Sequence, residues 1–442
     1  MKITAQAVFA SAGLSALFLV VYPFCNWITS LRPDVHSYYF AWERHMPFVP
    51  ALILPYMSID LFFVLAPFLT RSPKELRVLA LRIAVAILLA GGCFLLFPLR
   101  FAFARPHVDG LPGLIFNNFR NLDLPFNQCP SLHVALWAIL LDLYIRRTRG
   151  VVRIGIVIWF ILILLSTTLT YQHHFIDVAG GFALATLCFY LFRDRPPYHR
   201  SAGNRKVAAY YAAGAAALFG LTFICAPWNW LVLWTAIALA ITAAGYVGLG
   251  SSIFGKEEGK LPFSTWLVLW PVLIGQRISL NYYARQCRAH DCLTENLRIG
   301  RHLSAAEAQR ACRDGVVAVV DLTGELSESA PFRRLNYLQL PILDLTAPRL
   351  TQIDQAVEFI ERNRADGIVY LHCKAGYSRT AVIAGAYLLA SGRACTAAAA
   401  VEMLRRARPS IIIRPEAMKA LEEYAAMRQA TPVLLAGDLS HI

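Results

Sequence analysis

A multi-pass α-helical membrane domain of about eight spans, followed by an α/β domain, is the architecture this sequence predicts, on three observations. The 442-residue chain is 57% hydrophobic and 16% charged, against roughly 25% charged in an ordinary soluble domain, which argues against a single water-soluble globule. Apolar stretches of spanning or nearly spanning length follow one another over the first 250 residues. After Asn281 the texture changes to β-branched runs alternating with helical periodicity. Charge divides the chain in the same way, since residues 1–280 carry +11 of the net +14 and residues 281–442 only +3.

The apolar stretches occupy about residues 5–27, 47–69, 76–97, 131–145, 151–170, 176–192, 207–226 and 228–249, the fourth and sixth being short. A run of roughly 20 apolar residues crosses a bilayer as a helix. With the N-terminus inside, fifteen Lys and Arg, among them Arg71, Arg146, Arg195 and Arg200, fall in inner segments. Only Arg32, Arg44, Arg100, Arg105 and Arg120 fall outside. The positive-inside rule therefore places both the N-terminus and the C-terminal domain in the cytoplasm, and we expect a bacterial inner membrane protein. The first stretch reads as a span rather than a cleaved signal. A ninth stretch, Leu261 to Leu280, contains Pro271 and reads as an interfacial or re-entrant helix. The expected domains are 1–250 in the membrane, a linker over 251–289, and 290–442. Because the basic excess sits in short loops, cytoplasmic retention explains it better than nucleic acid, and no nucleic-acid partner is expected. Ten cysteines without paired spacing read as reduced thiols. Cys287, His290 and Cys292 lack a second ligand pair, so neither metal nor cofactor is expected.

In the C-terminal part, "GVVAVVDLTGEL" and "GIVYLHC" read as strands, and "RLTQIDQAVEFIERN" between them repeats at helical period. Such alternation predicts a parallel-sheet domain of about 150 residues.

Three polar clusters interrupt the membrane half: "RFAFARP" from Arg100, "PSLH" from Pro130, and "STTLTYQHHFID" from Ser166. Two crossings separate the last from the others, so all three share one side, which the positive-inside orientation makes the outer one. The spacing of four from His173 to Asp177 lets the carboxylate accept one imidazole N–H and aim the other nitrogen outward, as a nucleophile requires. His133 is the candidate general acid, with Arg105 and Arg100 holding phosphate. These residues resemble the type-2 phosphatidic acid phosphatase superfamily, whose motifs are Lys-X6-Arg-Pro, Pro-Ser-Gly-His and Ser-Arg-X5-His-X3-Asp. Arg105-Pro106, Pro130 to His133, and Ser166-Thr167 with His173 and Asp177 occupy those places over about residues 50–195. The resemblance implies a phosphohistidine at His173, an acid at His133 and an orienting Asp177. Pro98 stands at the Lys position, Thr167 at the motif-three Arg and Leu132 at the Gly, so two of three cationic phosphate ligands are absent. The pattern looks more like the sphingomyelin and inositol phosphorylceramide synthase branch, which transfers a phospho-headgroup between lipids.

The segment "VYLHCKAGYSRT", Val369 to Thr380, is a β-run ending in Cys373, then five residues, Arg379 and a helical stretch. Strand, tight loop and helix make an anion site. The amides of Lys374, Ala375, Gly376, Tyr377 and Ser378 are expected to point inward, with Gly376 permitting the turn. Cys373 is expected to be a nucleophilic thiolate, Arg379 a planar fork for the phosphate, and Thr380 an aid to thiolate departure. This is similar to the protein tyrosine phosphatase signature, and residues 290–430 look like its dual-specificity branch. "NLRIGR" resembles the opening strand, "VVDLTGE" the second, and "RRARPSIIIRP" the helix after the catalytic one. The resemblance implies a general-acid Asp about thirty residues before the Cys. Asp344 fits that interval better than Asp354, in a helical pattern, or Asp366, in a turn. "HCKAG" resembles the loops of lipid-directed members, which gives Lys374 a second anionic group to meet.

The expected function is a bifunctional, metal-independent membrane phosphatase or phosphotransferase acting on phosphorylated lipids, one site using a His nucleophile and the other Cys-X5-Arg. The alternative is a phosphoprotein phosphatase anchored by a membrane domain with a non-catalytic lipid-binding or transport role.

Overall fold

The computed structural model describes residues 2–122, 124–193, 203–225 and 229–430. Contacts divide the chain into two compact units, Met1–Pro196 and Pro197–Ile442. Arg195, Arg200 and the tail 431–442, which the sequence-based expectations include, lie outside the described residues.

Among the described residues the first unit holds seven α-helices: α1 (Lys2–Ser30), α2 (Ile53–Leu65), α3 (Pro73–Leu96), α4 (Gly110–Leu122), α5 (Leu132–Arg147), α6 (Gly150–Leu169) and α7 (Phe175–Leu191). Local chemistry starts them. Ser72 Oγ accepts the Glu75 N–H at 3.1 Å with Pro73 in the first turn of α3, and Ser131 Oγ accepts the Val134 N–H to open α5. The core joins Ile83, Ala86, Ile87 and Ala90 of α3 to Ala135, Ile139 and Leu140 of α5 and Leu184, Ala185 and Cys188 of α7. At Gly181 a Cβ would lie 2.6 Å from the Ser131 carbonyl oxygen, so only glycine allows α7 this close to the start of α5.

Among the described residues five segments are long and apolar enough to cross a bilayer: Thr4–Ser30, Pro50–Leu69, Pro73–Leu96, Gly150–Leu169 and Trp230–Ile253. The remaining expected stretches form α5, α7 and α8 (Arg205–Leu221), of 16, 17 and 17 residues. At a rise of about 1.5 Å per residue these span about 24–26 Å, short of the roughly 30 Å hydrocarbon core. Among the described residues, five of the eight expected stretches therefore meet that length as single helices.

The second unit begins with α8 and α9 (Asn229–Ala244), which runs on through a π-helical turn over Gly245–Leu249 and a 3-10 turn over Gly250–Ile253. The unit boundary precedes the expected position at 250 because this apolar pair is tied to the C-terminal segments. Trp234 Nε1 donates to the Val268 carbonyl at 3.1 Å, and Asn204 Nδ2 donates to the Leu345 carbonyl at 2.9 Å. The ninth stretch folds as α10 (Phe263–Val268) and α11 (Trp270–Gln286), interrupted at Leu269 with Pro271 in the first turn of α11.

The remainder is a five-stranded sheet, β1 (His290–Thr294), β2 (Leu297–Arg301), β3 (Val316–Thr323), β4 (Asn336–Ile342) and β5 (Ile368–Cys373). With α12 (Ala305–Arg313), α13 (Leu350–Asn363), α14 (Ser378–Ala390), α15 (Ala397–Ala407) and α16 (Pro415–Ala430) it forms an α/β domain. The strand order is β1-β2-β5-β3-β4, with β1 antiparallel to β2 and all other pairs parallel. β5 alternates strictly. Val369, Leu371 and Cys373 join the core under α13 to α16, while Tyr370 turns to the opposite core with Ala308, Ala311 and Phe332. The segment "RRARPSIIIRP" is not the helix after α14. That helix is α15, which stops at Ala407 because Pro409 bars its continuation, and residues 408–414 are non-helical.

Candidate active sites

Position dictates the first site. β5 lies between β2 and β3, where the strand order reverses, and a crevice forms at the carboxyl ends of such strands. Cys373, the last residue of β5, is buried there, opposite Arg301 of β2. The loop beyond it is held by its carbonyls. The Lys374 oxygen accepts the His302 N–H at 3.1 Å, and the Ala375 oxygen accepts from the Arg408 guanidinium at 3.4 Å. A peptide's N–H points opposite to its C=O, so anchoring these carbonyls outward turns the following amides toward the cavity above Cys373. Among the described residues, no turn or side-chain acceptor takes an amide of Lys374 to Ser378. Gly376 has φ +73°, and a Cβ there would meet the Gly300 oxygen at 2.5 Å. Tyr377 and Ser378 contribute backbone only: the Tyr377 ring lies against Tyr283 at 5.6 Å, and Ser378 Oγ accepts the Arg414 N–H at 3.2 Å.

Arg379 is buried at the start of α14. Glu325 grips its two terminal nitrogens at 3.1 and 2.7 Å, and the Ile342 carbonyl accepts from one of them at 2.9 Å. Arg379 Nε has no partner, which leaves one edge of the fork for an oxyanion. The Thr380 hydroxyl, also fully buried, has none either. Asp344 lies beside this group in the loop after β4, 3.4 Å from Arg379 Nη2 and 2.9 Å from Lys374 Nζ. Burial pushes its carboxyl up, but the Arg379 and Lys374 cations outweigh it and hold the group at about 2. Asp354, on α13, and Asp366, in a turn, are exposed. The Lys374 ammonium bridges Asp344 and Gln276 Oε1, the latter at 2.8 Å.

Sequence reasoning missed Glu325, Arg408 and a charged layer under the loop. His372 Nε2 pairs with Glu328 at 2.9 Å. Asp321 receives Lys256 Nζ at 2.5 Å, the Tyr337 hydroxyl at 2.6 Å and the Thr323 N–H at 2.7 Å. Burial disfavours the His372 cation, yet Glu328 and then Asp321 raise its pKa above the usual value. Asp321, Glu328 and His372 stand close enough to share a metal ion, but the Lys256 ammonium already balances Asp321, so the set reads as an ion-pair network. An acidic residue directly after β3 was the available signal for Glu325, and nothing local marks Arg408 or Lys256.

In the first unit, His133 and His173 lie within electrostatic reach of each other. His133 stacks on Tyr56 with ring centroids 4.1 Å apart. His133 Nε2 and His173 Nδ1 are both buried without a hydrogen-bond partner. The expected helical His173–Asp177 hydrogen bond is not formed. α7 begins only at Phe175, Asp177 Oδ2 accepts the His174 N–H at 2.8 Å, and His173 Nδ1 stands 3.8 Å away. Arg105 Nε donates to the Tyr171 carbonyl at 3.1 Å, two residues from His173. The Arg100 side chain is exposed. Thr167, at the position of the missing arginine, donates its hydroxyl to the Leu164 carbonyl. His174, also missed, is buried between a 2.8 Å contact to Glu43 and stacked Phe101 and Tyr39.

Comparison with known proteins finds a family match in each unit. Residues 43–191 match the PAP2 superfamily and residues 301–427 match "Dual specificity phosphatase, catalytic domain". The chain is 28% identical over 184 residues to the Arabidopsis thaliana phosphatidylglycerophosphate phosphatase PTPMT2, covering 39% of this chain and 80% of the relative. It is 36% identical over 89 residues to the Mus musculus phosphatidylglycerophosphatase and protein-tyrosine phosphatase 1, covering 20% of this chain and less than half, 46%, of the relative. A solved structure titled "Crystal structure of Tk-PTP in the active form" is 28% identical, covers 31% of this chain and 97% of its own, and has a TM-score of 0.29. A PAP2-superfamily region is thus followed by a dual-specificity phosphatase domain, and the relatives support a phosphoric monoester hydrolase.

Proposed function

We propose that this two-domain chain is a membrane phosphatase whose second unit hydrolyses phosphorylated lipids at Cys373. Its first unit cleaves or transfers a lipid phospho-headgroup at His173. The carrying observation is the run of amides after Cys373 that no turn or side-chain acceptor takes, closed by the free Nε edge of Arg379 with Asp344 alongside. The Cys373 thiolate attacks phosphorus, and the ester oxygen departs with a proton from Asp344. In the second step water gives its proton back to Asp344 and attacks the phosphocysteine, releasing phosphate and the thiolate. A phosphate dianion against Arg379 and Lys374 neutralises the cations that hold the Asp344 carboxyl down, so the substrate itself brings that group into its acidic role. Carriage of the domain beside bilayer-crossing helices raises its effective concentration for lipids over soluble phosphoproteins. We place the cysteine site in the cytoplasm and the histidine site on the opposite face, in a bacterial inner membrane.

In the first unit the nearness of His133 to His173, and of His173 Nδ1 to Asp177 Oδ2 at 3.8 Å, supports acid, nucleophile and orienting roles. Thr167 favours a second reading, a non-catalytic lipid-binding or transport unit, because its hydroxyl supplies no cation where the superfamily has arginine. The test is to incubate wild type, His173→Ala and Cys373→Ser with phosphorylated lipids, with and without alcohol acceptors, and to track products by mass. Cys373→Ser abolishing phosphate release from lipid while His173→Ala abolishes a separate conversion is the expected result. Unchanged lipid conversion in His173→Ala establishes the non-catalytic reading. Much faster cleavage of phosphotyrosine peptides than of lipids overturns the lipid assignment.

A further inference from the structure

The loop that carries Asp344 is fastened by a residue that lies far outside the phosphatase domain match of 301–427. Asn204 precedes α8, and its three polar groups reach three different elements. Its side-chain oxygen accepts the Val207 N–H at 3.2 Å and caps the helix. Its backbone N–H donates to the Tyr246 carbonyl in the π-helical turn at 3.0 Å. Its Nδ2 donates to the Leu345 carbonyl at 2.9 Å. Leu345 is the residue after Asp344 and has φ +61°, a conformation that a leucine holds only when its surroundings over-determine it. The Leu345 N–H in turn donates to Asp344 Oδ1 at 3.1 Å. One chain of bonds therefore runs from the helix cap through a left-handed leucine to the carboxylate. Tyr246, stacked on Tyr211 at 5.5 Å, feels the charges of Asp344, Glu325 and Arg379, so the same turn stands next to the reacting groups. Gly203 leaves no slack: a Cβ there would lie 2.5 Å from the Tyr246 oxygen.

We infer that Asn204 is a positioning residue for the phosphatase reaction, holding the Asp344 loop so that the carboxyl meets the leaving oxygen. Through it the helix pair α8–α9, whose second member belongs to the bilayer-length segment Trp230–Ile253, takes part in assembling the active site. The inference rests on the reading of Asp344 as general acid, and the experiment separates the two. The full chain in detergent is assayed on a phosphorylated glycerolipid, whose alkoxide leaves poorly, and on dinitrophenyl phosphate, whose phenolate leaves without a proton. Asp344→Asn reports the underlying reading: a loss on the order of 100-fold in kcat/KM on the lipid, with little in kcat/KM on dinitrophenyl phosphate, is what general-acid catalysis predicts, because kcat/KM reports the steps through phosphocysteine formation alone. Asn204→Ser keeps a helix cap but is too short to reach Leu345. It is expected to lower kcat/KM on the lipid about three- to tenfold, the worth of one neutral hydrogen bond, with kcat/KM on dinitrophenyl phosphate unchanged. Asn204→Asp, which keeps the cap and sets an oxygen against the Leu345 carbonyl, is expected to show the same split and a larger loss. Equal losses on both substrates, or none, with Asp344→Asn showing its split, overturn the role of Asn204 alone. Absence of the split in Asp344→Asn overturns the general-acid reading and the inference with it.

Discussion

Lys256 is a lysine with almost no exposure, and replacing it with methionine tests whether the charged layer beneath the catalytic loop is structural. Its ammonium donates to Asp321 Oδ2 at 2.5 Å and to the Thr323 carbonyl and hydroxyl at 3.0 Å each. Removing one partner of a buried ion pair costs about 3–5 kcal/mol. Asp321 keeps the Thr323 N–H, the Thr323 hydroxyl and the Tyr337 hydroxyl, which argues for the lower end, about 3 kcal/mol. At about 1.4 kcal/mol per factor of ten, amides of β3 and β5 are expected to exchange hydrogen about 150-fold faster in Lys256→Met, read by mass spectrometry on the full chain. The sign with pH comes from Asp321. Burial pushes its carboxyl up, but Lys256 and then His372 pull it well below the ordinary range. Its stabilisation is therefore complete above the unfolded value of about 3.9 and lost only in strong acid, so the gap between variant and wild type is flat from neutral to mildly alkaline pH. Adding Asp321→Asn to Lys256→Met removes the stranded charge and is expected to restore part of the protection. Protection in Lys256→Met within threefold of wild type, or a double variant worse than the single one, refutes the reasoning.

Glu325→Ala strands the Arg379 guanidinium, so it is expected to lower the melting temperature while a bound oxyanion such as vanadate raises it more than in wild type, about 3 kcal/mol being at stake; scanning fluorimetry with and without vanadate measures both. Gly376→Ala forces a Cβ against the Gly300 oxygen at a left-handed position, and a displacement near 1 Å is expected to cost about 100-fold in kcat/KM with the circular dichroism spectrum unchanged. The folded pKa of His372 lies above its ordinary value because Glu328 and Asp321 outweigh burial. Its contribution is therefore full below about pH 6.5 and is lost as pH rises through the folded value. Exchange protection of β5 is expected to fall over that alkaline range in wild type and to show no such step in Glu328→Gln.

Features whose cause is local were legible in the sequence. The β-branched run into Cys373 and the single glycine in the loop specify strand and turn within a few residues of one another, whereas Asp344, 29 positions earlier, was reached only through the family resemblance. The membrane half was legible as apolar stretches but not as a count of crossings, because helix length depends on where caps such as Ser131 and His174 fall. The spacing of four brings His173 Nδ1 to 3.8 Å from Asp177 Oδ2, but not into a hydrogen bond, because α7 starts two residues after His173. Glu325, Arg408, Lys256 and Asn204 were out of reach, since each meets its partner from 54, 117, 65 or 141 positions away. No period or motif encodes contacts at that range.

The phosphatase match begins at residue 301, at the last residue of β2, yet β2 is the strand on which β5 leans, and Lys256 is the counter-ion of a carboxylate two strands further on. Recombination at the match boundary would therefore transplant a sheet missing one wall and holding an uncompensated acid. Any transfer of this catalytic domain into another protein would have to carry the turn at Lys256 and the first two strands as well.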